Sequence, residues 1–190
     1  YFVEKYDIEK YENLTILRDD LFDEVSTQEN SQGILFLYSR KLNNIFDIVG
    51  DVVILDGIQD PGNIGTIIRT MEATNFKNLI LTKGSVDVYN PKTVRATMGG
   101  IFKLNIIYDT PENIIKFLKE NEYLIISTAL HKDSINYNDI KLKSKNAYIF
   151  GNEGGGVSNY MIENSDIKAI IPIYGNIESL NVSVASGVFL

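Results

Sequence analysis

The sequence contains no cysteine, which excludes disulfides, thiolate nucleophiles and cysteine zinc sites. It has a single histidine, His131, so a histidine metal cluster is excluded too; His131 stands in a loop-like stretch and is assigned no role, and no metal is expected. Long apolar runs are also missing. Stretches such as Leu79 to Leu81 and Ala169 to Ile173 fall far short of the ~20 residues needed to cross a bilayer, and no charged-then-apolar leader opens the chain. The expectation is a soluble protein with no membrane partner. Positive charge is scarce: Lys and Arg number 18 against 25 Asp and Glu, for a net charge of −7. That balance argues against gripping nucleic acid by bulk attraction, which rests on a basic surface that releases counterions from the phosphates. The chain starts without Met and stops at Phe189-Leu190 inside a helical pattern, so both ends are expected to continue in the full protein.

What is present suits one globular domain with a sizeable core and a smaller appendage: 190 residues, 44% hydrophobic and 23% charged. Strand-like runs cover Ile34 to Tyr38, Val52 to Leu55, Leu79 to Thr82, Leu104 to Tyr108, Tyr123 to Ser127, Tyr148 to Phe150 and Ala169 to Ile173. Helical periodicity falls between them, over Ile64 to Ala73, Pro91 to Met98, Pro111 to Glu120, Ser158 to Asn164 and from Leu180 onward. Pro91 and Pro111 sit where a first-turn proline is tolerated, and Gly99-Gly100 stops the helix that Pro91 starts. The alternation predicts an α/β fold, a mostly parallel sheet with helices on both faces. The polar, weakly patterned stretch from Arg40 to Gly50 is the best linker candidate. It separates residues 1–42, too poor in apolar material to fold alone, from a main domain over 50–190.

Three glycine- and asparagine-rich segments follow the ends of apolar runs: Leu55 to Thr70 (LDGIQDPGNIGTIIRT), Ile149 to Ser158 (IFGNEGGGVS) and Ile170 to Gly187 (IIPIYGNIESLNVSVASG). Each reads as strand, tight loop, helix, the arrangement that builds a ligand site at the carboxyl ends of parallel strands. In the first, Ile64, Ile67, Ile68 and Met71 form one helical face and Arg69 points the other way. Asn63 is suited to cap that helix, and this structural role stands beside a catalytic one. Arg69 reads either as a surface arginine or as a functional one. In the second, Glu153 lies between Gly151 and Gly154-Gly155-Gly156, more glycine than a simple turn needs, which lets a ligand lie against bare backbone. Dinucleotide and P-loop fingerprints fail here, and no lysine falls in the three loops. In the third, small residues (Ser183, Ala185, Ser186, Gly187) permit close helix packing. Outside these segments, Lys92, Arg95 and Lys103 fall in a stretch without Asp or Glu (NPKTVRATMGGIFK). That is a solvated helix face or a local RNA-binding patch.

Taken in order, the three segments resemble the SpoU, or TrmH-like, family of RNA ribose 2′-O-methyltransferases in the SPOUT superfamily, over about Val52 to Leu190. Ile16 to Tyr38 is similar to the end of the small ribosomal-protein-like RNA-binding domain that often precedes the catalytic domain in this family. The resemblance implies a C-terminal deep trefoil knot, an exception to the usual unthreaded connections, and S-adenosylmethionine bound in its loops largely through main chain. It assigns Gly151, Ile171 and Leu180 to cofactor contacts and Asn63, Arg69, Glu153, Ser179 and Asn181 to the catalytic set. Gly155 departs from the family, where a charged residue is common. A cytoplasmic homodimer acting on RNA, ribosomal rather than transfer, is implied, with Val184, Val188 and Phe189 offered to the partner helix. The alternative is an RNA-binding protein that keeps the fold without catalysis.

Overall fold

The computed structural model describes residues 13–26, 30–39 and 43–190. These divide into two units, with the boundary falling between residues 39 and 43. The N-terminal unit holds a short helix, α1 (Asp19–Val25), without a buried residue. The expected strand from Ile34 to Tyr38 is not formed: these residues join no ladder and are exposed. An apolar run becomes a strand only when its backbone hydrogen bonds are made to a neighbouring strand, and these residues lie in no ladder. Residues 27–29 of the similar N-terminal segment and 40–42 of the expected linker lie outside the described residues.

The second unit carries a seven-stranded sheet in the order β3-β2-β1-β6-β4-β7-β5. Its strands are β1 (Val52–Asp56), β2 (Asn78–Thr82), β3 (Asn105–Asp109), β4 (Leu124–Thr128), β5 (Ile135–Asn136), β6 (Asn146–Gly151) and β7 (Ile167–Ile170). Every pairing is parallel. Strand side chains alternate between the two faces, and each face has its own core. Val53, Leu55, Leu79, Leu81, Ile126 and Phe150 belong to one, and Val52, Ile54, Ile80, Ile125 and Ile149 to the other. Because both faces are covered, the strands read as unbroken apolar runs, and each fully buried Ile or Leu side chain stabilises the fold by about 1.5–3 kcal/mol.

Helices α2 (Pro61–Ala73), α3 (Pro91–Ala96) and α6 (Val182–Phe189) associate with the first core, and α4 (Pro111–Glu120) and α5 (Asn159–Glu163) with the second. Pro61, Pro91 and Pro111 each open a helix behind a polar cap: Asp60 accepts from the Asn63 N–H, Asn90 from that of Lys92, and Thr110 from that of Asn113. Helix α6 starts at Val182, later than the sequence suggested, because Asn181 caps it. Strand β7 ends at Ile170, before Pro172, which has no N–H to give a ladder. The boundary between the two units falls inside the expected linker, Arg40 to Gly50, while the later part of that stretch is packed. Asn44 caps a 3-10 turn over Ile45–Asp47, and Ile45 and Ile48 are buried beside Ile114 and Phe117 of α4. Two isoleucines at this spacing pin the stretch to the second core.

Candidate active site

In a parallel sheet the loops after the strands emerge at one edge. Here β1, β6, β4 and β7 are consecutive neighbours, so the loops that follow them are adjacent. The loop after β1 leads into α2. Its cap is Asp60, whose Oδ1 accepts from the backbone N–H of Asn63 at 2.8 Å. Asn63 is therefore not the cap, and its side-chain amide is free of that task. Its Nδ2 donates to Glu153 Oε1 at 2.5 Å, and its Oδ1 accepts from Asn181 Nδ2 at 2.9 Å. The three segments singled out in the sequence thus meet at one asparagine. Asn181 in turn uses its own Oδ1 to hold the Ser183 and Val184 N–H groups at the start of α6, which fixes which way its amide faces.

Two further ties hold the glycine loop against the end of β1. Asp56, a buried carboxylate, accepts from Thr82 Oγ1 at 2.9 Å through Oδ1 and from the Ser158 N–H at 2.8 Å through Oδ2. Asn152 Nδ2 donates to the Gly57 carbonyl at 2.7 Å. Asp56, Thr82 and Asn152 were not among the residues expected from sequence. The signal for Asp56 was a carboxylate ending an otherwise apolar strand, a place where burial demands partners.

The glycine loop is also more self-contained than its composition suggested. Asn152 and Gly156 exchange backbone hydrogen bonds, and Asn152 Oδ1 accepts from the Gly154 and Gly155 N–H groups. Those amides are not bare. A Cβ built on Gly151 would lie 2.0 Å from the Gly156 carbonyl carbon and the Val157 nitrogen, so glycine is required there by the loop's own returning backbone. Gly155, by contrast, has nothing within 4 Å of a built Cβ.

Arg69 leaves α2 on the exposed side, opposite the buried Ile64, Ile67, Ile68 and Met71. Among the described residues it makes no hydrogen bond or ion pair, so the structure does not join it to the Asn63 junction. Ser179 is exposed two positions before Asn181. Ile171 and Leu180 are half-buried and bracket a stretch, 173–180, that makes no hydrogen bond to a described group. Its N–H and C=O groups are available to a ligand, and Gly175 within it also has open space. On β4, the neighbour of β7, the wholly buried Ser127 hydroxyl has no hydrogen-bond partner among the described residues. A nucleoside recognised through main chain fits such a stretch. Lys92, Arg95 and Lys103 are exposed on α3 and the following 3-10 turn, Gly100–Lys103, and form no ion pair among the described residues. No metal-binding group of His, Cys, Asp and Glu occurs among the described residues, and no described helix is long and apolar enough to cross a membrane.

The family model for the SpoU rRNA methylase family matches residues 51–190. The chain belongs to this family. A 23S rRNA guanosine 2′-O-methyltransferase of Bacillus subtilis is 32% identical over 175 residues, which cover 92% of this chain and 70% of that protein. A 23S rRNA adenosine 2′-O-methyltransferase of Streptomyces azureus is 34% identical over 148 residues, covering 74% of this chain and 53% of that protein. Among solved structures, an AdoMet-bound rRNA methyltransferase from Sinorhizobium meliloti superposes with a TM-score of 0.85 at 28% identity, over 90% of this chain and 67% of that one. The SpoU methyltransferase AviRb from Streptomyces viridochromogenes, in complex with AdoMet, gives 0.72 at 27% identity, over 78% of this chain and 62% of that one. The all-parallel sheet with helices on both faces is accordingly the SPOUT methyltransferase architecture.

Proposed function

We propose that this SpoU-family chain is an S-adenosylmethionine-dependent methyltransferase that methylates a ribose 2′-hydroxyl in structured RNA, ribosomal rather than transfer RNA. The observation that carries the proposal is the junction at Asn63, which ties Glu153 and Asn181 to the start of α2 and so assembles the three family segments into one site. The two relatives above act on 23S rRNA at ribose 2′-oxygens, which supports the choice of substrate.

When bound, S-adenosylmethionine would supply an activated methyl group for the ribose 2′-oxygen, its sulfur leaving as a neutral thioether while the hydroxyl proton passes to solvent or a neighbouring group. Gly151, Ile171 and Leu180 are the residues proposed to hold it, the last two bracketing the hydrogen-bond-free stretch. The chain's own task is alignment, which provides up to ~7–11 kcal/mol in favourable cases. Asn63 and Asn181 hold the loops in register around the nucleotide, with Glu153 and Ser179 at its rim. Arg69 presents a planar guanidinium with five N–H donors and no acceptor. It is better suited to anchor a phosphate or the developing alkoxide than to take the proton. Lys92, Arg95 and Lys103 provide the local patch that offsets an acidic average. Replacing all three with neutral residues should weaken RNA binding and flatten its salt dependence, by roughly 0.7–0.9 log units for each phosphate no longer neutralised.

The proposal includes the trefoil knot, supported by α6 returning from the β7 side of the sheet to pack on α2 and β6. It includes a homodimer in the cytoplasm, and residues 1–42 as the end of an RNA-binding domain. Incubation with labelled S-adenosylmethionine and total cellular RNA tests the activity: label is expected in RNA, at a ribose that mass spectrometry locates. RNA bound but never labelled would leave a binding protein that has kept the fold.

A further inference from the structure

Thr82, the last residue of β2, belongs to none of the three segments that meet at Asn63, yet its side chain bonds the first of them twice. Its Oγ1 accepts from the Gly57 N–H at 3.0 Å and donates to Asp56 Oδ1 at 2.9 Å. A hydroxyl has one proton and two lone pairs, so the incoming Gly57 N–H leaves that proton to the carboxylate. Gly57 has φ 71°, and no neighbour lies within 4 Å of where its side chain would stand. Its hydrogen bonds are what hold it, to Thr82 through its N–H and to Asn152 Nδ2 through its carbonyl. Thr82 is 2% exposed and Asp56 8%, so both act from beneath the surface of the site.

The consequence falls on the glycine loop. Asn152, at its start, bonds the Gly57 carbonyl, and Ser158, at its end, donates its N–H to Asp56 Oδ2 at 2.8 Å. Both ends of the loop are thus tied to two consecutive residues, 56 and 57, and Thr82 bonds both of those. Glu153 follows Asn152 directly and is the loop's partner for Asn63. Gly151, by contrast, is placed by the sheet, since it pairs with Asp56 in the β1–β6 ladder. Buried hydrogen bonds in series reinforce one another, and an ionised acceptor makes each stronger than a neutral one does. Removing the Thr82 hydroxyl would therefore loosen both ties of the loop while leaving the ladder in place.

We propose that Thr82 is a positioning residue for methyl transfer: through Asp56 and Gly57 it sets where the glycine loop delivers Glu153 to Asn63. This rests on the RNA methyltransferase reading, and the experiment has one readout that needs catalysis and one that does not. Thr82→Val keeps the shape of the side chain and removes its hydroxyl, whereas Thr82→Ser keeps the hydroxyl. Initial rates of label transfer from S-adenosylmethionine to total cellular RNA are measured with the full chain, below the melting temperature of every variant. Thr82→Val is expected to lower kcat about 10- to 100-fold, the scale of a misaligned reacting pair. KM for S-adenosylmethionine should stay at the parent value, because the ladder still holds Gly151. In proton–nitrogen NMR spectra the Asn63 side-chain amide signals, identified by their loss in Asn63→Asp, should move, although Thr82 and Asn63 share no hydrogen bond. Thr82→Ser should bring back both the rate and the signal positions. An unchanged kcat, a loss that Thr82→Ser shares, or Asn63 signals that stay in place while the melting temperature falls would each overturn the proposal and leave Thr82 a support for the fold. If Thr82→Val yields no folded protein, Asp56→Asn takes its place, with the same two readouts and unchanged kcat or unmoved Asn63 signals as the overturning results. If the parent chain transfers no label while the Asn63 signals still move in Thr82→Val and return in Thr82→Ser, the clamp stands and the methyltransferase reading falls.

Discussion

Asn63 shows how one side chain decides what a site contains. Its donor end faces Glu153 and its acceptor end faces Asn181, so reversing the amide would break both bonds, at about 0.5–1.5 kcal/mol each. From the sequence it was equally readable as a cap, because Asn serves well there. The rule that settles it was available: proline at the first helical position places the cap one residue earlier, at Asp60. Arg69 was legible through periodicity, its outward direction following from the apolar face. Its chemistry is legible only through the family. Arg69→Ala is expected to abolish methyl transfer to RNA while S-adenosylmethionine affinity, measured by calorimetry, stays nearly unchanged. Loss of cofactor binding would move Arg69 from chemistry to structure.

At the scale of elements, the main-domain strands could be read because burial on both faces makes them continuous apolar runs. β5 escaped because its two residues carry no pattern. The run from Ile34 to Tyr38 misled for the opposite reason, apolar enough to predict a strand but exposed and joined to no ladder. The glycine loop was recognised as special, although its glycines answer to the loop's own packing before any ligand. Gly151→Ala tests this. A Cβ 2.0 Å from backbone atoms cannot be accommodated by rotating a side chain, so the substitution should lower the melting temperature and S-adenosylmethionine affinity together. Gly155→Ala, entering open space, should leave the melting temperature unchanged. Equal melting temperatures for the two variants would count against the close approach as the reason for glycine at 151.

At the scale of the whole molecule, the sequence suggested Val184, Val188 and Phe189 as a surface for a second copy. Val184 and Val188 are exposed, but Phe189 packs inward, its ring 5.8 Å from those of Phe150 and Tyr137. Val184→Asp is therefore the informative change, expected to lower both the mass in light scattering and the activity; a fully active monomer would remove the dimer from the proposal. Alkaline stability is a second molecular property. Burial, helped by the nearby Asp51, pushes the Tyr148 hydroxyl up to about 12, and the same causes raise Tyr123. A phenol with a raised native pKa keeps its proton when the unfolded chain has lost it, so stability is level below pH ~10 and falls as pH rises toward 12. Urea titrations across that interval should show the decline, and Tyr148→Phe should make it shallower.

The order of the strands also bears on how the chain is made. β1 lies between β2 and β6, with Val52 beside Asn78 on one side and Ala147 on the other. The first neighbour follows soon after β1. The second comes about 95 residues later, which at roughly 5–20 residues per second means about 5–20 s of translation. Throughout that interval β1 presents one complete row of unpaired backbone groups on an apolar strand, the kind of edge that recruits other chains. The mature molecule encloses that row beneath β6, so its greatest exposure to aggregation belongs to the nascent chain on the ribosome.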